Sequence, residues 1–156
     1  MTRQNFLEFK DNLEYNFKIN YPINWEKRVA KMNTIVAFVA KLENPLEKFR
    51  ENFTIMARET KLESSSIDQL IDIEITQLKE SFLDFQLIRK KKTTLSQIPA
   101  YLLIYTGKKK DLEVKIMQYY TIKDNLIYLF TYTTEIEKYE KFLKTIKKMI
   151  KSFEFF

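Results

Sequence analysis

The chain has 156 residues, 45% hydrophobic and 15% aromatic, enough to close a core and too apolar for a disordered chain. It has no His, no Cys and one Gly, Gly107, which excludes His- or Cys-based catalysis, the usual zinc sites and glycine-rich phosphate loops. A net charge of +6 favours acidic partners or an anionic membrane surface, and serves solubility equally well.

Without Cys there is no disulfide framework to reveal a redox compartment. No apolar run near Met1 is long enough for a signal h-region or a membrane span. The expected location is cytoplasmic if Met1 is the native start. It is extracytoplasmic or lumenal if a signal or anchor has been removed.

Residues 1–12 read as a short lead-in with helical character. Tyr15, Phe17 and Ile19 then alternate with Asn16, Lys18 and Asn20, the period of a half-buried strand. Pro22 ends it, because proline cannot donate to a sheet ladder. The apolar run 35–40 predicts a second strand. Asn44-Pro45 opens a brief helical turn, with Asn as cap and Pro at the first helical position. Phe53, Ile55 and Ala57 alternate as a third strand. Ser64-Ser65-Ser66 is a break, and Ser66 with Gln69 has capping-box spacing. Ile67, Ile71, Ile75, Leu78 and Phe82 follow at helical spacing and predict a helix over 67–82.

Four strands follow, over 85–93, 99–106, 112–122 and 126–133, with connections short enough for antiparallel hairpins. Asp124-Asn125 suits a tight turn because both tolerate the left-handed region. Thr134 with Glu137 forms a second capping-box pattern. Ile136, Tyr139, Leu143, Ile146, Ile150 and Phe153 mark one face of a helix over 136–151. The order predicts an α+β fold in one domain, 1–156. Residues 101–105 and 126–132 are apolar at nearly every position, so both sheet faces should be covered. That implies an α/β/α sandwich with a central antiparallel sheet of six to seven strands flanked by helices.

Particular residues resemble the PsbP-like family. They are the Tyr21-Pro22-Ile23-Asn24-Trp25 entry, the Ile98-Pro99-Ala100-Tyr101 strand opening, and Tyr128, Thr131 and Thr133. The last element is the helix carrying Tyr139, Phe142 and Leu143 and ending in Ser152-Phe153. The resemblance covers roughly residues 13–153 and extends to the wider fold group that includes the Ran-binding Mog proteins. It implies an accessory or binding role. Plant and cyanobacterial members are extrinsic lumenal subunits that support the oxygen-evolving centre of photosystem II. Mog-type members bind a small GTPase and promote nucleotide release. Many prokaryotic members are exported or membrane-anchored domains of unknown function, and the Tyr-Pro-x-x-Trp entry is most similar to these. Metal contacts proposed for photosynthetic members involve His, which this chain lacks, so no metal or cofactor residue carries over. The resembling residues are fold markers, and none implies catalysis.

Two basic clusters are candidate partner contacts. Arg89, Lys90, Lys91 and Lys92 end a predicted strand, and Lys108, Lys109 and Lys110 form a predicted hairpin tip. Together at one end of the sheet they would make a positive pocket for phosphate or an acidic surface. Edge lysines that block aggregation account for them as well. On the C-terminal helix, Lys141, Lys144, Lys148 and Lys151 are expected to share a solvent face that could dock an acidic partner. Acids early and lysines late also satisfy the helix dipole without any partner. Asp68 and Asp72, one turn apart, read as dipole-favoured acids rather than a cation site.

Tyr101, Tyr105, Tyr119, Tyr120, Tyr128 and Tyr132 lie in predicted strands and read as packing residues. Trp25 reads as a core plug. The resulting expectation is a non-enzymatic module that docks on a larger protein assembly, with no catalytic, cofactor or metal residue. Its candidate contacts are Arg89, Lys90, Lys91, Lys92, Lys108, Lys109, Lys110, Lys141, Lys144 and Lys148. An anionic membrane surface is a second candidate partner, and nucleic acid is disfavoured. The alternatives are a Mog-type GTPase regulator and a small-ligand or metal binder using the cleft between sheet and helix.

Overall fold

Strands outnumber helices, and the structure, a computed structural model describing residues 4–47 and 49–156, is built around two antiparallel sheets. The strands are β1 (Phe6–Asp11), β2 (Phe17–Pro22), β3 (Glu26–Lys31), β4 (Thr34–Val39) and β5 (Asn52–Glu59). After helix α1 (Ile67–Ser81) come β6 (Leu83–Leu95), β7 (Ile98–Lys109), β8 (Leu112–Lys123) and β9 (Leu126–Glu135). Helix α2 (Tyr139–Ser152) and the short β10 (Glu154–Phe155) complete the order. The large sheet runs β3-β4-β5-β9-β8-β7-β6, and the small one runs β1-β2-β10.

The apolar runs are explained by burial on both faces. Tyr101, Leu103 and Tyr105 of β7 pack with Ile67, Leu70 and Ile71 of α1. Ala100 and Leu102, one residue out of phase, join the other core with Ile146 and Met149 of α2. Phe17 and Ile19 of the small sheet share that second core. The layers are therefore α1, the seven-stranded sheet, and a third layer made of α2 with the small sheet. This is the expected α/β/α arrangement, with a sheet added to one outer layer. Phe153 joins these parts: its ring lies 4.6 Å from Phe130, 5.4 Å from Phe17 and 4.8 Å from Phe155. Each such buried ring contributes about 1.5–3 kcal/mol of transfer free energy. Trp25 is buried as expected, edge-on to Phe142 at 5.7 Å.

Several expectations are corrected. The lead-in contains strand β1 where helical character was expected; its hydrogen-bonding partner is β2. Strand β3 had no expectation at all. It is an edge strand, and Glu26, Lys27, Arg28 and Val29 are all exposed, so no burial pattern marks it. Neither capping box forms. Ser66 closes a 3-10 turn over Ser64–Ser66 and makes no side-chain cap. The Thr134 hydroxyl donates to the Glu135 carbonyl, and a 3-10 turn over Ile136–Lys138 precedes α2. Ile136 is consequently exposed rather than part of the helix's buried face. The Asn44-Pro45 turn does form: Asn44 Oδ1 accepts the Leu46 N–H at 2.9 Å. Asp124 and Asn125 both take positive φ, 51° and 66°, as the tight turn requires.

The acidic loop before β5 closes over the start of α2. Lys138 pairs with Glu47 and lies 3.8 Å from Glu51, and Lys141 pairs with Glu43. Glu51 is 1% exposed, and its Oε1 has no hydrogen-bond partner among the described residues. Burial pushes its carboxyl above the ordinary range, more than a backbone hydrogen bond and the nearby Lys138 ammonium pull it down.

Gly107 fulfils a packing requirement in β7. A Cβ there would meet Phe82 Cβ at 2.8 Å and Cδ1 at 2.9 Å. The missing side chain lets the link between α1 and β6 lie directly on β7. Gly107→Ala should therefore lose about 1–3 kcal/mol, the usual cost of overpacking. Urea denaturation measures this, and an unchanged midpoint would show that Phe82 moves freely.

Glu51 gives a pH-dependent expectation. Its folded carboxyl holds a proton to higher pH than the unfolded one, whose ordinary value is 4.5. The folded state thus binds more protons in that window, and stability falls as pH rises through and above 4.5. Glu51→Gln should melt with the parent at pH 4 and about 2–4 °C above it at pH 7, the shift expected from about 1 kcal/mol at this size. Equal melting temperatures at both pH values would refute the cost assigned to this carboxylate.

Candidate partner-binding groove

Strand β6 is an edge of the large sheet, and its two faces divide the first basic cluster. Lys90 and Lys92 turn toward α1, where they meet Asp72 at 3.4 Å and Asp68 at 3.1 Å. Asp68 also accepts the Tyr101 hydroxyl, and this bond, followed by Lys92, holds its carboxyl below the usual range. The two acids thus anchor edge lysines and a tyrosine. Among the described residues, no group of three or more His, Cys, Asp or Glu could hold a metal ion.

Arg89 and Lys91 point the other way, toward α2. They line a groove of about 450 Å3 between the helix and the β6–β7 edge. Lys115 of β8 and Lys147 of α2 complete its charged lining, and no carboxylate contributes. Leu102, Ile104, Met117 and Tyr119 from the sheet, with Tyr139 and Leu143 from α2, give it an apolar lining. The Lys115 ammonium lies 4.0 Å from the centre of the Tyr139 ring, within cation–π range. Burial pushes the Tyr139 hydroxyl up to about 12, with Glu140 adding and the Arg89 charge opposing. Burial likewise raises Tyr119, again against Arg89. Among the described residues, none of Arg89, Lys91, Lys115 and Lys147 forms an ion pair.

The two basic clusters do not meet. Arg89 to Lys92 occupy the middle of β6, where a strand end was expected. Arg89 sits opposite Ile104, whereas Lys108 lies four residues further along β7, about 13 Å away at strand spacing. Lys108 sits opposite Glu113 in the β7–β8 register. Lys109 and Lys110 line a different concavity on the α1 side of the sheet. The helical strip is also divided. Lys141 is engaged by Glu43, while Lys144 and Lys148 are exposed and without an ion pair among the described residues. Lys144, Lys147 and Lys151 follow one another at three- and four-residue spacing along the flank of α2.

Two groove residues, Lys115 and Lys147, are not among the candidates that the sequence suggests. A signal for both existed. Lys115, Met117 and Tyr119 share one strand face, and Tyr139, Leu143 and Lys147 recur every fourth residue on the helix. Each is a cation continuing an apolar series.

No described helix is long and apolar enough to cross a membrane. No curated protein matches the chain by sequence. Solved structures do match it in fold. The cyanobacterial PsbP protein (CyanoP) of Synechocystis sp. PCC 6803 has a TM-score of 0.67 at 13% identity, covering 99% of this chain and 95% of its own. LpqN of Mycobacterium tuberculosis, described as involved in cell envelope biogenesis, has a TM-score of 0.72 at 9% identity, covering 98% and 91%. A Pseudomonas aeruginosa protein of unknown function, a suggested regulator, has a TM-score of 0.64 at 12% identity, with 91% of each chain covered. At such identities these likenesses concern the fold alone. The sequence itself matches the PsbP-like protein family over residues 2–155, and the chain belongs to that family.

Proposed function

We propose that this chain is a one-domain, non-enzymatic binding module that docks on an acidic segment of a larger protein assembly through the α2–β6 groove. One observation carries the reading: four cations without ion-pair partners among the described residues surround an apolar lining. Other lysines nearby already have carboxylates. Lys90, Lys92, Lys138 and Lys141 are all paired. An incoming segment that alternates carboxylates with apolar side chains would match both components of the groove. The concave shape favours a narrow segment over a flat membrane surface.

The lack of His and Cys supports a binding role over catalysis. The buried tyrosines support it too. Burial raises Tyr105, Tyr120 and Tyr132 far above their ordinary value of 10.0, which keeps them protonated and poor as acid–base groups near neutrality. Membership in the PsbP-like family agrees with an accessory role.

The test uses a labelled peptide of alternating Glu and Leu and anisotropy to read its affinity. Lys91→Glu with Lys147→Glu should weaken binding at least tenfold, about 1.4 kcal/mol. Lys108→Glu with Lys110→Glu should leave it within twofold, and the parent affinity should fall as salt rises. Equal losses in both double variants would mean that net charge, rather than the groove, binds the peptide. Tighter binding to phosphatidylserine vesicles than to the peptide would overturn the protein-segment reading in favour of a membrane surface.

A further inference from the structure

The opposite face of the sheet carries a second and larger concavity, of about 690 Å3. Helix α1 packs over β6, β7 and β8 and ends at Ser81. Beyond it the face over β9 and β5 is left partly open, and Thr54, Met56, Thr131 and Thr133 are only half-buried there. Phe49, from the segment before β5, lines this space, as do Leu78 and Phe82 at the end of α1. Arg58 of β5 pairs with Glu74 of α1, so the helix and strand on either side are tied to each other. The volume is that of a site for a small molecule.

Two polar features interrupt the apolar lining, and the second specifies the charge of a ligand. The first is Gln118, 7% exposed, which lies in the lining of the cavity. Its Oε1 accepts hydrogen bonds from the hydroxyls of Tyr105, at 3.0 Å, and Tyr120. Its Nε2 donates to Thr131 Oγ1 at 2.9 Å. An amide nitrogen has two N–H donors, so one is left without an acceptor among the described residues. Two tyrosines and a threonine thus hold a donor fixed inside a mostly apolar space.

The second feature is charge. Exposed Lys109 and Lys110, on the β7–β8 hairpin, also line the cavity, and no carboxylate does. Neither lysine has an ion pair among the described residues. The Lys109 ammonium lies 5.9 Å from the Phe82 ring, which is itself part of the lining.

We propose that this cavity binds a small amphipathic organic anion. Its apolar body lies against Phe49, Met56, Leu78 and Phe82, and its charged group meets Lys109 and Lys110. A neutral amphiphile would forgo the lysines, and a cationic one would be repelled by them. The site is on the other face of the sheet from the groove and stands independently of the partner assigned there.

Calorimetric titration with decanoate, kept below its micelle concentration, tests this beside decyltrimethylammonium as the cationic control. Decanoate should bind with one-to-one stoichiometry and the ammonium should not. Lys109→Glu with Lys110→Glu should weaken decanoate at least tenfold. Met56→Trp, which fills the open space, should abolish binding while the protein still melts cooperatively. Amide shifts in the parent protein should centre on Met56, Phe82, Lys109 and Lys110, which gives a readout that holds even if Met56→Trp fails to fold. No decanoate heat, equal binding of the ammonium, or shifts centred elsewhere would each overturn the proposal.

Discussion

The large sheet is apolar on both faces and wider than any single element that packs on it. Seven strands at the usual spacing span about 29 Å, whereas one helix with its side chains covers about 10–12 Å. Burying Leu103 on one face and Leu102 on the other requires cover on both sides. One helix, α1, serves the first face and reaches β6 to β8. On the second face α2 needs the help of a three-stranded sheet, and together they cover the β4, β5 and β9 side. What remains bare follows from this width. Left open are the β6–β7 edge on the α2 face and, beyond the reach of α1, the middle of the sheet at β9 and β5 on the other. The two concavities lie at these places, so they are consequences of how the sheet is roofed.

Charge is distributed to match. The net charge of +6 is not spread evenly as a solubility coat. Acids are placed where they fix lysines to the scaffold: Asp68 and Asp72 on α1, and Glu43, Glu47 and Glu51 against the start of α2. The linings of both concavities contain cations and no carboxylate. An edge strand such as β6 benefits from lysine in any case, because charge discourages pairing with another chain. The edge requirement accounts for Lys90 and Lys92, which are neutralised locally. It does not account for Lys115, which lies in an interior strand with its ammonium over the Tyr139 ring.

Periodicity and turn chemistry encode much of this fold directly. Helix α1, the three hairpins from β6 to β9, the double-sided burial and the buried Trp25 were all legible. The failures have physical causes. Strand β3 carries no alternation because its described residues are exposed on an edge, and strand β1 owes its place to pairing with β2. Both capping boxes were defeated by 3-10 turns, which satisfy the first backbone groups before the helix begins. Charge that is contiguous in the sequence need not stay so in the fold, because a strand sends neighbouring residues to opposite faces. Arg89 and Lys91 therefore part company with Lys90 and Lys92. The groove unites β6, β8 and α2, a combination that linear spacing does not reveal.

The position of α2 decides whether the groove is a fixed shape or a gap that closes on a partner. The helix is held at both ends. At its start Lys138 and Lys141 grip the acidic loop. At its end Ser152 Oγ accepts the Asn20 N–H at 2.8 Å and donates to the Met149 carbonyl. The chain then continues into β10, where Phe155 donates its N–H to Ser96 Oγ at 3.0 Å and Phe156 donates to the Asn16 carbonyl. Phe153 packs these contacts down onto Phe130 of the large sheet. These contacts hold both ends of α2 against the scaffold. The α2 wall of the groove, which carries Lys147, is therefore anchored by the fold itself. A segment bound there, as proposed, would order little backbone, and the cost would fall on the exposed side chains of Arg89, Lys91 and Lys147.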